Sequence, residues 1–341
     1  MIDPLFSIIL PVHNGGSYLK SCVNSILRQS FPYFQLSVLE NYSTDGSLEW
    51  LEEIDDARVS IYQSSRLLNI EENWQRILEI PKREFMTIIG HDDFLDDNYL
   101  HTMHELIVSE PNASLYQTHF RLIDADGTSI RSCYPMSNRE SASEFLAARM
   151  QGKRDSFGTG YMFRTADYDA IGGIPLFPKL IFSDDALWLI LMNLGDKVTS
   201  EAECFSYRLH SGSTSGGVSP NTLYEATLEY TNFLTNLSRN QSEIRCTLEK
   251  YAVNHFLHLS NYYVSILTKQ LDETDQRKAH ETAVQFINMI ENFFEGANFS
   301  LNPKQRVVNK LLKGVYMSYV FAPKIARNII DGIYRYFKNL R

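Results

Sequence analysis

Phe85-Met86-Thr87-Ile88-Ile89-Gly90-His91-Asp92-Asp93-Phe94-Leu95-Asp96-Asp97 is the stretch whose reading decides the fold. Its first five residues are apolar or β-branched without alternation, which is the pattern of a strand buried on both faces. The run stops at Gly90, with acids immediately beyond it. Carboxylates are thereby gathered at the C-terminal end of a strand. Ligands of open α/β sheets bind at that edge, and adjacent carboxylates there suit a hard divalent cation that in turn holds phosphate oxygens. Taken alone, Asp92 and Asp93 could equally solvate a turn, with Asp96 or Asp97 capping a helix that begins near Asn98. The flanking chain decides between these readings.

Upstream, Leu5 to Val12 is a short apolar run closed by His13-Asn14-Gly15-Gly16, and a helical pattern from Ser17 puts Leu19, Cys22, Val23, Ile26 and Leu27 on one face. Gln35 to Glu40 reads as a second strand leading through Asn41-Tyr42-Ser43-Thr44-Asp45-Gly46-Ser47 into a helix over Leu48 to Ile54. Arg58 to Tyr62 is a third strand, Asn69 to Ile80 a helix, and Phe85 to Ile89 the fourth strand. Strands alternating with helices predict a parallel sheet whose loops meet at one edge.

Three of those loops carry a resemblance. Pro11-Val12-His13-Asn14, the segment Glu40 to Ser47, and Gly90-His91-Asp92-Asp93 resemble, in order and spacing, the loops of family 2 inverting glycosyltransferases. The resemblance covers residues 5 to about 215. It implies the GT-A fold, a Rossmann-like α/β architecture with a mostly parallel sheet flanked by helices. It further implies that Pro11, Val12, His13 and Asn14 lie along the nucleotide, that Glu40 meets the base with Ser43 and Asp45 in the same loop, and that His91 and Asp92 lie at the ribose and metal. Two positions depart from the family pattern. Glu40 stands where Asp is usual, and still can accept from a uracil or thymine imide N–H. Gly90 stands where the first acid of Asp-x-Asp is usual, so Asp92, with Asp93, is left to carry a Mn²⁺ or Mg²⁺ ion.

Downstream, a helix from Asn98 to Ser109 precedes a strand from Ala113 to Phe120, Asp124-Ala125-Asp126-Gly127 reads as a hairpin turn, and Ser141 to Met150 is helical. Gly158 and Gly160, ahead of Tyr161-Met162-Phe163-Arg164, resemble a family glycine pair that lets backbone approach the donor sugar and acceptor. In Phe182-Ser183-Asp184-Asp185, Ser183 or Asp184 fits a helix cap. The resemblance makes Asp185 the general base, which inversion requires within reach of the acceptor hydroxyl, and leaves Asp184 to cap the helix or orient Asp185. Tyr207-Arg208-Leu209-His210 resembles a segment near the pyrophosphate. Arg208 would there face the leaving phosphate charge, and His210 would complete the ion's shell.

Composition sets the frame. With 341 residues, 44% hydrophobic and 12% aromatic, the chain can bury a large core. We expect a catalytic domain over 1–215, a helical subdomain over 216–303 and a basic tail over 304–341. No apolar run reaches membrane-spanning length and no leader is evident, so a cytoplasmic location is expected. Cys22, Cys133, Cys204 and Cys246 lack paired or metal-ligand spacing and read as reduced core thiols. Net charge is −9, but the tail holds nine basic residues and one acid, so the remainder is strongly acidic. That argues against nucleic acid as a partner. In the tail, apolar doublets recur every four residues from Val307 and again beyond Pro323, with lysines and arginines mainly between them, as in helices that lie on an anionic membrane surface. Peripheral attachment to the inner face of the cytoplasmic membrane is the expectation; packing on the preceding helices or in a homodimer is the alternative.

The activity expected from the resemblance is metal-dependent, inverting transfer of a hexosyl or N-acetylhexosaminyl group. The donor would be a nucleoside-diphosphate sugar, UDP- or dTDP-linked, and the acceptor a hydroxyl of a saccharide or lipid-linked saccharide, in polysaccharide, O-antigen or capsule biosynthesis. A nucleotidyltransferase would need an arginine in the first loop, and a dinucleotide oxidoreductase would need Gly-x-Gly-x-x-Gly; neither is present. A catalytically silent nucleotide-sugar-binding protein stays open because of Gly90.

Overall fold

The computed structural model describes residues 5–210, 218–270, 276–296 and 299. The whole basic tail and residues 211–215 lie outside them. The described residues divide into two compact units, one formed by residues up to 145 and again from 153 to 210, the other by residues 146–152 and those from 218 onward.

The first unit is a sheet with helices. β1 (Phe6–Val12) leads into α1 (Gly16–Leu27), β2 (Phe34–Glu40) into α2 (Ser47–Glu52), and β3 (Val59–Gln63) into α3 (Ile70–Gln75). β4 (Phe85–Ile88), the short β5 (Phe94–Leu95), α4 (Tyr99–Ser109), β6 (Leu115–Ile123), β7 (Ser129–Ser132) and β8 (Arg139–Glu140) follow. After α5 (Ala142–Met150) come β9 (Tyr161–Arg164), α6 (Thr165–Ala170), α7 (Ser183–Leu191) and β10 (Lys197–Arg208). The strand order is β3-β2-β1-β4-β9-β6-β10-β5, with β7 on β6 and β8 on β10.

β3, β2, β1 and β4 pair in parallel, as do β6 and β10. β9 runs antiparallel between β4 and β6. The parallel strands are apolar without alternation because both faces are covered: Phe6, Ile8, Ile9, Leu10 and Val12 are all at most 1% exposed. Burying each such side chain contributes roughly 1.5–3 kcal/mol relative to leaving it in water. α1 lays Leu19, Cys22, Val23 and Ile26 on that core, the face its periodicity predicts.

α3 is shorter than its hydrophobic pattern. A capping box starts it, with Asn69 Oδ1 accepting from Glu72 N at 2.7 Å and Glu72 Oε2 accepting from Asn69 N at 3.0 Å. It tightens to a 3₁₀ turn at Arg76–Leu78, because Pro81 disfavours helical backbone at Ile80 and shuts the pattern down early. Cys22, Cys133 and Cys204 are buried as expected, whereas Cys246 is exposed and corrects the reading of all four as core thiols.

The second unit contains α8 (Pro220–Asn240), α9 (Ser242–Gln270) and α10 (Gln276–Gly296). Ser219 caps α8 by accepting from Thr222 N at 3.1 Å, with Pro220 at the position where a missing N–H costs nothing. Its core is aromatic: Tyr263 stacks on Phe286 with ring centroids 4.1 Å apart, and Phe256 packs on Phe293. No helix among the described residues is long and apolar enough to cross a membrane.

Candidate functional site

The loops after β1 and β2 are laced into one surface at the C-terminal edge of the sheet. Asn14 N donates to Ser43 Oγ at 3.0 Å, and Thr44 N donates to Asn14 Oδ1 at 2.8 Å. Gly16 N donates to Asp45 Oδ2, Gly15 N to Ser47 Oγ, and His13 Nδ1 lies 3.0 Å from Asn41 O. Asn14 and Tyr42 hold left-handed backbone (φ 50° and 59°), a conformation these cross-links stabilise. Burial opposes ionisation of Asp45, but hydrogen bonds from Ser47 and from the Gly16 N–H outweigh it and hold the carboxyl below its ordinary value.

Glu40 differs from expectation. It is fully buried, and its two oxygens accept from Tyr42 N at 3.1 Å and Ser43 N at 2.7 Å. Its extra methylene lets it curl back and shape the second loop, so it organises the loop rather than presenting a free carboxylate to a base. Arg76 then ties that loop to its neighbours, donating to Glu40 O at 3.1 Å, to Asn73 Oδ1 and to Tyr62 O.

Beyond β4, Asp92 and Asp93 part ways. Asp92 Oδ2 lies 2.7 Å from His210 Nε2, a contact between positions 118 residues apart. Asp93 is turned inward and buried: its Oδ1 accepts from Arg208 N at 2.9 Å and its Oδ2 from Thr159 Oγ1 at 3.0 Å. Burial first, and then the Asp92 charge, push its carboxyl well above the ordinary value. Asp93 thus braces the site, in place of the ion-ligand role expected for it. Gly90 also acquires a physical reason. A Cβ built there would lie 2.6 Å from Asp92 Oδ1 and 3.0 Å from Asp93 Oδ2, so the space a side chain would take is already filled by carboxylates. His91 sits half-buried against the first loop; burial lowers its pKa against the opposing pull of Asp92 and a hydrogen bond to the Pro11 backbone.

Arg208 is tied to the backbone of the loops around it. It is 6% exposed, and its Nε donates to Asp92 O at 2.7 Å while Nη1 donates to Asp124 O at 3.1 Å and Ala125 O at 2.9 Å. Its guanidinium lies 4.5 Å from the Tyr18 ring centroid, and Tyr18 donates to Ala125 O at 3.2 Å. Arg208 therefore clamps the Asp92 loop to the 124–127 turn through its Nε and Nη1.

The glycine pair serves packing. A Cβ on Gly160, which has φ 79°, would strike Phe205 at 2.6 Å, and one on Gly158 would lie 3.2 Å from Trp74 Cη2 and 3.7 Å from Asp184 Cβ. Between them Thr159 holds Asp93, Phe157 stacks on Tyr207 at 3.5 Å, and Trp188 Nε1 donates to Phe157 O at 3.2 Å. The 157–160 loop thus joins the Asp92-Asp93 turn to α7.

At the start of α7, Phe182 (φ 63°) is the cap residue and no side chain caps the helix. Ser183, expected there, is buried and accepts from Phe177 N. Asp184 Oδ1 accepts from Asp185 N at 2.9 Å. Asp185 is 4% exposed, and Asp184 is half-buried.

The sequence assigns no site role to Trp74, Thr159 or Tyr18, and Tyr207 enters it only as part of the segment with Arg208 and His210. Each reaches the site from a different element, and a lone aromatic or threonine carries no spacing signal. The acid and imidazole donors fit a divalent ion in part. Asp92 and His210 offer one oxygen and one nitrogen, and no group of three such donors exists among the described residues. Two protein ligands with the diphosphate of a substrate are sufficient for Mg²⁺ or Mn²⁺, which keep several positions for phosphate and water.

Residues 7–171 match the sequence profile of Glycosyl transferase family 2. Among curated relatives, the putative teichuronic acid biosynthesis glycosyltransferase TuaG of Bacillus subtilis is 25% identical over 215 residues, 62% of this chain and 82% of that protein. The glycosyltransferase GlyG of Streptococcus pneumoniae is 24% identical over 128 residues, which is 37% of this chain and 42% of GlyG. Among solved structures, S. aureus TarS 1-349 in complex with UDP-GlcNAc superposes with a TM-score of 0.71 at 17% identity, covering 97% of this chain and 91% of TarS 1-349. At that identity the likeness establishes the fold. The domain at residues 7–171, just under half of the chain, matches glycosyl transferase family 2 and has the GT-A fold.

Proposed function

We propose that the chain is an inverting glycosyltransferase that moves a sugar from a nucleoside-diphosphate sugar, UDP- or dTDP-linked, to a hydroxyl of a saccharide or lipid-linked saccharide in polysaccharide biosynthesis. The observation that carries this reading is the 157–160 loop. It hydrogen-bonds Asp93 through Thr159 and lies against Asp184 through Gly158, so one short segment sets the spacing between two acidic clusters. A carboxylate that accepts a proton and a polar site that receives a diphosphate are what inverting transfer requires on opposite sides of the anomeric carbon.

In this mechanism the laced loops after β1 and β2 form the nucleotide floor, with His13, Asn14 and Ser43 at its surface. Asp185 takes the proton from the acceptor hydroxyl as that oxygen bonds to the anomeric carbon and the nucleoside diphosphate departs, inverting the configuration in one displacement. Asp184 orients Asp185. Asp92 and His210 would hold Mn²⁺ or Mg²⁺, which when bound supplies charge neutralisation for the diphosphate. Arg208, Asp93 and Thr159 keep those groups in place.

The alternative of a silent binding protein rested on Gly90. The packing of Asp92 Oδ1 into the space beside Gly90 favours the enzyme, because a carboxylate is retained there from a neighbouring position. A thermal-shift panel of UDP-, dTDP- and GDP-sugars with Mn²⁺ or Mg²⁺ tests the reading. Stabilisation by one nucleotide series, followed by release of that nucleotide upon addition of glycan acceptors, supports it. Tight binding with no turnover for any pair makes the chain a binding protein. For the basic tail we propose attachment to an anionic membrane surface at the inner face of the cytoplasmic membrane, a reading supported by the pattern of residues 304–341.

A further inference from the structure

The helical unit holds a cavity of about 400 Å³ between α8 and α10, within the range of roughly 300–1,000 Å³ usual for ligand sites. Packed helices normally meet along apolar stripes. Here Leu228, Met289 and Phe293 form an apolar floor, and the lining also carries four side-chain amides: Asn232 from α8, and Gln285, Asn288 and Asn292 from successive turns of α10. All four of these residues are exposed. Each therefore presents two N–H donors and a carbonyl acceptor to whatever enters.

Charge is sorted along the same helices. Glu225, Glu229, Glu291 and Glu295 all lie off the cavity, and the charged residue among its described lining is Arg239, at one end. Neutral amides that both donate and accept match hydroxyl groups, which do the same. Aromatic and aliphatic carbon beneath them matches the C–H faces of sugar rings, and the absence of carboxylate with one guanidinium admits an anionic substituent. We propose that this groove binds a hydroxyl-rich glycan, neutral or anionic, a binding that does not depend on the glycosyltransferase reading.

Calorimetry on the full chain, saturated with UDP and Mn²⁺, tests this with two probes: a neutral hexose oligosaccharide and an anionic oligosaccharide that contains uronic acid. At least one should bind. Asn288→Leu and Asn292→Leu, at exposed positions that leave the core untouched, should each weaken that binding about tenfold, with melting temperature and UDP affinity unchanged. No binding by any probe at millimolar concentration overturns the proposal. So does binding that survives both substitutions, which would place the glycan elsewhere, or a fall in oligomeric mass on substitution, which would make the groove a contact between copies. UDP affinity on the same samples reports separately on the catalytic reading.

Discussion

Asp92 and Gly90 are best understood together. The carboxylate of Asp92 reaches His210 while its other oxygen fills the place that a side chain at residue 90 would need. Asp92→Ala should therefore weaken UDP binding mainly when Mn²⁺ or Mg²⁺ is present; calorimetry showing equal weakening in EDTA would make Asp92 a structural contact instead. Gly90→Ala introduces only a methyl, but at 2.6 Å from Asp92 Oδ1 that methyl must push the carboxylate away. The expected result is a loss of metal-dependent affinity of about tenfold or more with little change in fold stability, read by UDP titration with and without metal. At this scale the sequence was partly legible. The motifs bring Asp92 and His210 within 2.7 Å, because a motif records which residues meet; the ion they would share belongs to the proposed function. A motif does not record which way each carboxylate turns, and Glu40 and Asp93 turned inward to backbone N–H donors supplied by their own folded surroundings.

Among elements, the junction of β8, β10 and the segment before β9 shows how the scaffold bears on the site. Glu140 on β8 pairs with Lys197 of β10 at 2.9 Å and with Arg154, all three at most 5% exposed. Removing the carboxylate strands two buried cations, so Glu140→Ala should cost about 3–5 kcal/mol in denaturant unfolding. Burial, offset by attraction to Glu140, pushes Lys197 down to about 8 from its ordinary 10.5. Between those values the unfolded chain binds more protons than the folded one, so the Lys197 contribution to stability rises with pH across roughly 8 to 10.5. The stability of wild type relative to Lys197→Met should improve over that window; an unchanging difference would mean Lys197 keeps its ordinary pKa. The helices and parallel strands were legible because their hydrophobic patterns are long. β5 and β8 were not, since two residues carry no periodicity.

For the whole molecule, charge distribution makes the separable prediction. An acidic body joined to a tail with nine basic residues should bind vesicles containing anionic lipid, less so at high salt, each basic residue contributing about 1 kcal/mol near such a surface. In co-sedimentation the full chain should pellet with those vesicles, whereas protein ending at Asn302 should not; if both stay in the supernatant, the tail serves the protein or a second copy. The central claim, that a carboxylate at the start of α7 deprotonates the acceptor, has a more direct test. Once the donor and acceptor are identified, Asp185→Asn and Asp184→Asn are compared for donor binding by calorimetry and for transfer by product formation. The account predicts that Asp185→Asn binds the donor within a few-fold of wild type while transfer falls by a factor on the order of 10²–10⁴. Transfer retained above about a tenth in Asp185→Asn but lost in Asp184→Asn would contradict it, and would assign the proton to the half-buried Asp184 beside Gly158.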